Sequence, residues 1–179
     1  MPAIQRYRDL AGYNAWANAR LYDAAAALPD AVYRADQGAF FGSLHRTLNH
    51  ILVADTIWMA RFTGDETPPP ALDAVLHEDF AALRAAREAM DARIVGFVEG
   101  LGEADLERGF SYRTISNPVV VTQPLAPALD HVFNHQTHHR GQAHALLTRL
   151  AGTAPSFDLI LYQRETGRGG ATTRPVTAG

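Results

Sequence analysis

Three histidines of the sequence have the residue type and spacing that could bind a divalent metal ion. His135 and His139 are four residues apart in a segment with strong helical periodicity, so their imidazoles would stack on one helix face. His50 borders the apolar stripe of a second helical segment. Two stacked imidazoles and a third from another helix would make an open-sided metal site with positions left for a small molecule.

Other histidines and a plainer interpretation compete with this assignment. His131 and His135 have the same spacing of four, but at about 100° per residue His135 and His139 are better placed to face the interior. His45 falls well outside the apolar stripe of its own segment. Hydrogen-bonded or solvated helix histidines are the alternative. The pattern is not that of an HExxH metalloprotease, because Gln136 follows His135 and no glutamate base is present.

Five further residues could serve such a site. Trp16 and Trp58 could line a pocket, although core aromatics are the plainer interpretation. Asp55, little more than one turn after the histidine of the second segment, is a candidate general base. Arg140 could contact an anion, with a solvated surface arginine as the alternative. Gln142 could orient a metal-binding histidine through a hydrogen bond.

Composition and charge exclude several classes of protein. A chain of 179 residues with 47% apolar residues suits one domain with its own core. A net charge of -3 gives no basic surplus, so we expect no nucleic-acid partner. The sequence has no cysteine, which excludes disulfides, thiolate metal sites and a cysteine nucleophile. Without a signal-type segment or an apolar run of about 18 residues, we expect a cytoplasmic protein with no membrane contact.

Hydrophobic periodicity predicts four long helices with short connections, which favours an all-α four-helix bundle. The predicted helices cover residues 7–28, 44 to about 63 and 72–98, and the fourth begins at Pro124 or Pro127 and runs to residue 150. Ser43 is the expected N-cap of the second helix, which should end near residues 62–64, and Gly152 is expected to end the fourth.

The segments between and after these helices have their own signals. A short β-hairpin is expected over residues 110–121, with turn residues at 116–118, and a rigid proline turn at 67–70. A short last helix is expected near residues 157–165. We therefore expect one domain over residues 1–166 and a disordered, glycine-rich tail over 167–179.

Three segments, at residues 13–18, 45–55 and 131–142, resemble the DinB family of damage-inducible proteins. The His-Arg-Gly-Gln sequence ending at Gln142 is the most specific match. The resemblance implies a bundle in up-down-down-up order, often dimeric, on a scaffold shared with bacillithiol transferases and mycothiol-dependent maleylpyruvate isomerase. It also implies a nickel or zinc site, with Fe²⁺ or Mn²⁺ as alternatives. Its ligands correspond to His50, His135 and His139, and some branches have glutamate at the position of His135.

The leading functional hypothesis is a metal-dependent enzyme acting with a small-molecule thiol, of the thiol S-transferase type. A metal with open positions lowers the pKa of a bound thiol, which can then attack a small electrophile. A metal-dependent hydrolase of a small substrate and a non-catalytic, stress-related metal-binding bundle are the alternatives. Amphipathic helices with extra aromatic residues, together with the family resemblance, predict a homodimer.

Overall fold

Six α-helices and one small antiparallel sheet form the part of the protein described by this computed structural model, residues 2–64, 71–115, 118–170, 172 and 174. The protein is thus mostly helical, with a two-stranded sheet before the last long helix, as the sequence predicts. The elements are α1 Ala3–Ala26, α2 Asp30–Arg34, α3 Leu44–Thr63, α4 Phe80–Glu99, β1 Gly109–Arg113, β2 Val120–Pro124, α5 Leu125–Ala151 and α6 Leu159–Thr166.

The four long helices enclose the main hydrophobic core. Helix α1 contacts α4 and α5, and α3 contacts the same two helices. Leu44, Leu48 and Ile51 recur at three-to-four spacing on α3, and each is at most 2% exposed. Burial of an aliphatic side chain of this size contributes about 1.5–3 kcal/mol. This apolar packing positions α3 and α5, the helices that carry the three histidines.

Local capping signals set the ends of α3 and α5. The Ser43 side chain accepts a hydrogen bond from the Arg46 N–H at 3.2 Å. At the other end of α3, Gly64 has a left-handed backbone (φ 79°) and its N–H donates to the Ala60 carbonyl at 2.8 Å. Gly152 ends α5 in the same backbone region, with φ 75°. The Ser43 N-cap, the end of α3 near residues 62–64 and the stop at Gly152 all agree with the prediction from the sequence.

The predicted start of the third long helix was wrong by eight residues, because residues 71–79 form an irregular segment before α4. The fully buried Asn49 of α3 binds this segment. Its Oδ1 accepts from the N–H groups of Leu76 and His77 at 2.9 and 3.0 Å, and its Nδ2 donates to the His77 carbonyl at 3.2 Å. Asp79 then caps α4 through the Ala82 N–H at 2.8 Å. Tertiary hydrogen bonds therefore override the helical periodicity here.

The structure also contains elements that the sequence did not reveal. Helix α2 and a 3₁₀ turn at Glu103–Glu107 were not predicted. His45, expected outside the apolar stripe, is only 4% exposed, because α2 covers it and its Nδ1 lies 3.1 Å from the Tyr33 hydroxyl. Helix α6 begins two residues later than predicted. Among the described helices, none is both long and apolar enough to span a membrane.

The sheet and the chain end complete the fold. Strands β1 and β2 pair antiparallel, with Phe110 opposite Gln123 and Tyr112 opposite Val121. The predicted proline turn at 67–70 lies outside the described residues, as do 116 and 117 of the predicted hairpin turn. Of the predicted tail, residues 168–170 form a 3₁₀ turn, and Arg168 donates to Asp9 at 3.2 Å.

Candidate metal centre

The three predicted histidines converge where α3 packs against α5. Nε2 of His139 lies 3.0 Å from Nε2 of His135 and 3.2 Å from Nε2 of His50. One possible ligand atom from each residue lies within 4.8 Å of the other two. His135 and His139 share a face of α5 because they are one turn apart. His50 reaches the same point from α3, so the cluster joins the two helices.

The hydrogen bonds of the outer ring nitrogens indicate where the protons lie. Nδ1 of His50 is 2.8 Å from the Leu72 carbonyl oxygen, and Nδ1 of His139 is 2.8 Å from Oε1 of Gln142. Both oxygens can only accept, so each Nδ1 carries the proton and each Nε2 of a neutral ring carries a lone pair. Two lone pairs facing each other at 3.2 Å repel unless a cation binds between them. These residues therefore fit a metal ion.

The separations of the nitrogens agree with this interpretation. Tetrahedral coordination with metal–nitrogen bonds of about 2.0–2.1 Å places ligand nitrogens about 3.3–3.4 Å apart. The observed separations of 3.0 and 3.2 Å need only a small rotation of the rings. The Leu72 carbonyl and the Gln142 amide would hold two of the rings in the orientation that metal binding requires.

Burial keeps the three rings neutral near pH 7. Desolvation, helped by the nearby His139, lowers the pKa of His135 to about 3. Desolvation also lowers the pKa of His139 to about 4, against the opposing effect of the hydrogen bond to Gln142. The pKa of His50 is lowered too, again mainly by desolvation. Neutral imidazole is the form that coordinates a metal, so the metal-free site would be ready to bind one.

A buried network of charged and amide side chains fixes the helices around the cluster. Arg87 of α4 contacts Asp55 of α3 at 2.6 Å and Asp91 of its own helix at 2.8 Å. Gln136 donates to Asp55, and Arg140 donates to Gln136 at 3.3 Å and to an asparagine of α1. Gln136 and Arg140 each directly follow a histidine of the cluster in the sequence. The network therefore sets the rotation of α5 that turns these histidines toward α3.

The five other predicted residues have different positions relative to the histidines. Gln142 accepts a hydrogen bond from one of them, and Trp58 lines the cleft beside them. The Asp55 carboxylate belongs to the buried network, so it is not placed as a general base in the cleft. Arg140 is only 2% exposed, which excludes the solvated alternative. Trp16 packs against α6 and donates to a glutamate there at 2.9 Å, away from the cluster.

An open cleft of about 530 Å³ leads to the histidine cluster. His50 and His135 lie in its wall. Its apolar surface comes from α3, the hairpin and the segment before α4, through Ala54, Ile57, Trp58, Leu72, Ile115 and Val119. Strand β1 supports this wall, because the Tyr112 ring lies 5.2 Å from the Trp58 ring. A small molecule could therefore reach the cluster along a mostly apolar surface.

Sequence reasoning missed three residues beside the cluster. Phe41 stacks on the His50 ring with centroids 4.0 Å apart and covers one side of the site. His131, expected to face the interior less well than His135 and His139, borders the cleft with its ring 5.0 Å from that of Trp58. Arg61 also lines this cleft. Helical periodicity alone places Arg61 on the same face of α3 as His50, and His131 on the same face of α5 as His135. No signal in the sequence brings Phe41, in the loop before α3, to the cluster.

Fold and site together define a mostly helical protein with a candidate three-histidine metal centre at the end of an open cleft. The sequence model of the DinB family matches residues 3–174, so the chain belongs to the DinB family. The resemblance inferred from the motifs is thereby confirmed.

Two relatives illustrate this membership. The curated Protein DinB of Bacillus subtilis (strain 168) is 27% identical over an alignment of 169 residues, and the match covers 86% of this chain and 92% of that protein. The crystal structure of a DinB-like protein from Bacillus cereus ATCC 10987 superposes with a TM-score of 0.58 and 21% sequence identity. That superposition covers 81% of this chain and 91% of the other, and it supports the fold.

Proposed function

We propose that the protein binds one divalent metal ion through His50, His135 and His139 and is an enzyme of the thiol S-transferase type. One observation carries this proposal. The Nε2 lone pairs of His50 and His139 face each other at 3.2 Å beside a cleft that is open to small molecules. Imidazole ligands suit nickel and zinc, with Fe²⁺ and Mn²⁺ as alternatives.

The protein groups around the site would bind, orient and shield the reactants. The Leu72 carbonyl and Gln142 keep the Nδ1 protons in place, so that Nε2 stays free for coordination. Phe41 shields the site from water on one side. A divalent metal bound there would lower the pKa of a thiol enough to favour the thiolate near neutral pH. The apolar cleft would hold the electrophile beside it.

The cleft favours a thiol over water as the nucleophile. No carboxylate is among the described residues that line it, and Asp55 is occupied by the buried network. A carboxylate base that could help hydrolysis is therefore not placed in the cleft, whereas a thiol with a pKa near about 8.5 needs a smaller shift than water to ionise. Because the chain has no cysteine, the thiol would be a separate small molecule.

We also propose that the four long helices form a bundle in up-down-down-up order. The support is the order of the side-chain contacts along each pair of helices. In an antiparallel pair, later residues of one helix contact earlier residues of the other, and in a parallel pair the two orders agree. The contacts are Arg8–Glu99 and Asp23–Arg84 between antiparallel α1 and α4, Tyr7–Asp130 and Asn14–Arg140 between parallel α1 and α5, and His50–His139 and Asp55–Gln136 between antiparallel α3 and α5.

A homodimer and a cytoplasmic location complete the proposal, on the grounds given by the sequence. Light scattering at micromolar concentration tests the dimer, because a mass near 19.5 kDa is that of the monomer and would count against it. The proposed partners are a second copy of the chain and a small molecule, with no nucleic acid and no membrane.

Metal analysis and a transfer assay test the proposed activity. We expect wild-type protein loaded with Ni²⁺ or Zn²⁺ to hold one ion per chain, and His139→Ala to lose most of it. His138→Ala is the matched control, because its exposed ring lies outside the cluster. Full metal occupancy in His139→Ala would refute the ligand set. A panel of thiols with a chromogenic electrophile then tests transfer, and its persistence after verified metal removal would contradict the proposed role of the metal.

A further inference from the structure

Arg61 is a cation in the metal cleft, and none of the described residues is an acidic partner for it. Its guanidinium lies 4.5 Å from the ring centroids of both Trp58 and Tyr112, and Nη2 donates to the Arg113 carbonyl at 3.3 Å. Across residues 2–64, 71–115 and 118–170, no carboxylate forms an ion pair with it. A guanidinium has five N–H donors, so the described residues leave most of the hydrogen-bonding capacity of Arg61 available to a ligand.

The surroundings of Arg61 favour an anion. Burial lowers the pKa of Arg61, but an arginine keeps its charge at neutral pH. The two aromatic rings hold the guanidinium in place, which reduces the conformational entropy lost when it binds a ligand. A fixed guanidinium with free donors in a partly dry cleft is a good partner for a carboxylate, which it can bind with two parallel hydrogen bonds.

The same cleft separates Arg61 from the histidines by an apolar surface. Arg61 follows His50 by 11 residues on α3, which corresponds to about 16 Å along the helix axis. Both side chains lean back toward the helix N-terminus, the longer arginine slightly more, so the guanidinium is roughly 15 Å from the position of the metal. A metal–sulfur bond of about 2.3 Å and a guanidinium–carboxylate contact of about 3–4 Å take up part of this distance, which leaves roughly 10 Å between the sulfur and the carboxylate of a ligand. Ile115 and Val119 line the cleft and are 36% and 49% exposed. A ligand with methylene groups between its two polar ends would cover them.

We propose that Arg61 binds the carboxylate of the small thiol whose sulfur reaches the three histidines. This inference rests on the proposed function and adds the class of substrate, a thiol with an anionic group roughly 10 Å from its sulfur. Arg61 would act as a specificity-determining residue, and it would not take part in the chemistry at the metal.

Thiols of two lengths test the inference with Co²⁺-loaded protein, in which thiolate binding is read from the charge-transfer absorption. The long pair is ω-mercaptooctanoate and ω-mercaptooctanol, which span roughly 10 Å when extended. The short pair is mercaptopropionate and mercaptopropanol. We expect the long acid to bind about 10- to 100-fold more tightly than the long alcohol, as a charge-assisted hydrogen bond allows. The short acid cannot reach Arg61 and should show no such preference.

Two variants separate ligand binding from a structural role of Arg61. Arg61→Gln should remove the preference for the long acid while the long alcohol still binds. Arg113→Gln removes a neighbouring exposed charge on β1 and should keep the preference. Equal affinity of the long acid and alcohol in wild-type protein would overturn the inference, as would a preference that survives in Arg61→Gln. If thiols bind without any preference for the acid, the proposed function stands and the inference about Arg61 fails. If no thiol produces the absorption band, the proposed function and the inference both fail.

Discussion

Replacement of Asp55 by alanine tests whether the buried network holds the helices of the metal site in place. Asp55 and Arg87 are each 2% exposed at the side chain and lie 2.6 Å apart. Without the Asp55 carboxylate, Asp91 is the one acidic partner that the described residues still offer Arg87, and the Gln136 amide loses this acceptor. The variant would therefore bury a poorly compensated cation and an unpaired amide at the junction of three long helices.

The expected loss of stability is large on the scale of a single domain. Removal of one partner from a buried ion pair costs about 3–5 kcal/mol, whereas the free energy of unfolding of a domain is about 5–15 kcal/mol. For a chain of this length, each 1 kcal/mol lowers the melting temperature by about 2–4 °C. Asp55→Ala should therefore melt about 6–20 °C below the wild type.

Asp23→Ala is the matched control, because Asp23 also pairs with an arginine of α4. That partner, Arg84, lies 2.7 Å away, but the two side chains are 64% and 36% exposed. An exposed pair contributes about 0–1 kcal/mol, so Asp23→Ala should melt close to the wild type. Thermal denaturation followed by circular dichroism measures both variants. Equal losses in Asp55→Ala and Asp23→Ala would refute the reasoning. If Asp55→Ala does not fold, the nearly isosteric Asp55→Asn provides the same comparison.

Three further outcomes are expected. Gln142→Leu should weaken metal binding about 10- to 100-fold, measured by calorimetry; unchanged affinity would show that the hydrogen bond to His139 does not matter. Metal removal should lower the melting temperature but leave a cooperative transition, because the core is large. Loss of the cooperative transition would show that the metal holds the fold together. In the metal-free protein, the pKa values of about 3 for His135 and about 4 for His139 lie below the unfolded value of about 6.5. The unfolded chain therefore binds more protons in this range, and stability should fall as the pH drops from about 6.5 toward 4; a flat profile of urea midpoints would contradict this.

Features that depend on a few neighbouring residues could be predicted from the sequence. Ser43 accepts a hydrogen bond from a backbone group three residues later, and Gly64 and Gly152 end their helices with a left-handed backbone, so these helix ends follow from local rules. The pair His135 and His139 belongs to the same group, because one helical turn brings the two rings together.

Features that depend on packing between distant segments could not be predicted. The start of α4 is set by Asn49 of α3, which binds backbone groups some 27 residues later. Asp55 looked available as a base because its partner Arg87 lies on another helix. The same limit applies to Phe41 and Arg61, whose contacts with the cluster and the cleft come from a loop and from the hairpin.

Anomalous diffraction from crystals of the Zn²⁺- or Ni²⁺-loaded protein, recorded on both sides of the absorption edge of the metal, tests the central claim most directly. We predict one strong anomalous peak per chain, about 2.0–2.2 Å from Nε2 of His50, His135 and His139. A peak at other residues, or no peak at the cluster in crystals that contain the metal in stoichiometric amount, would contradict the assignment of these histidines as the metal centre.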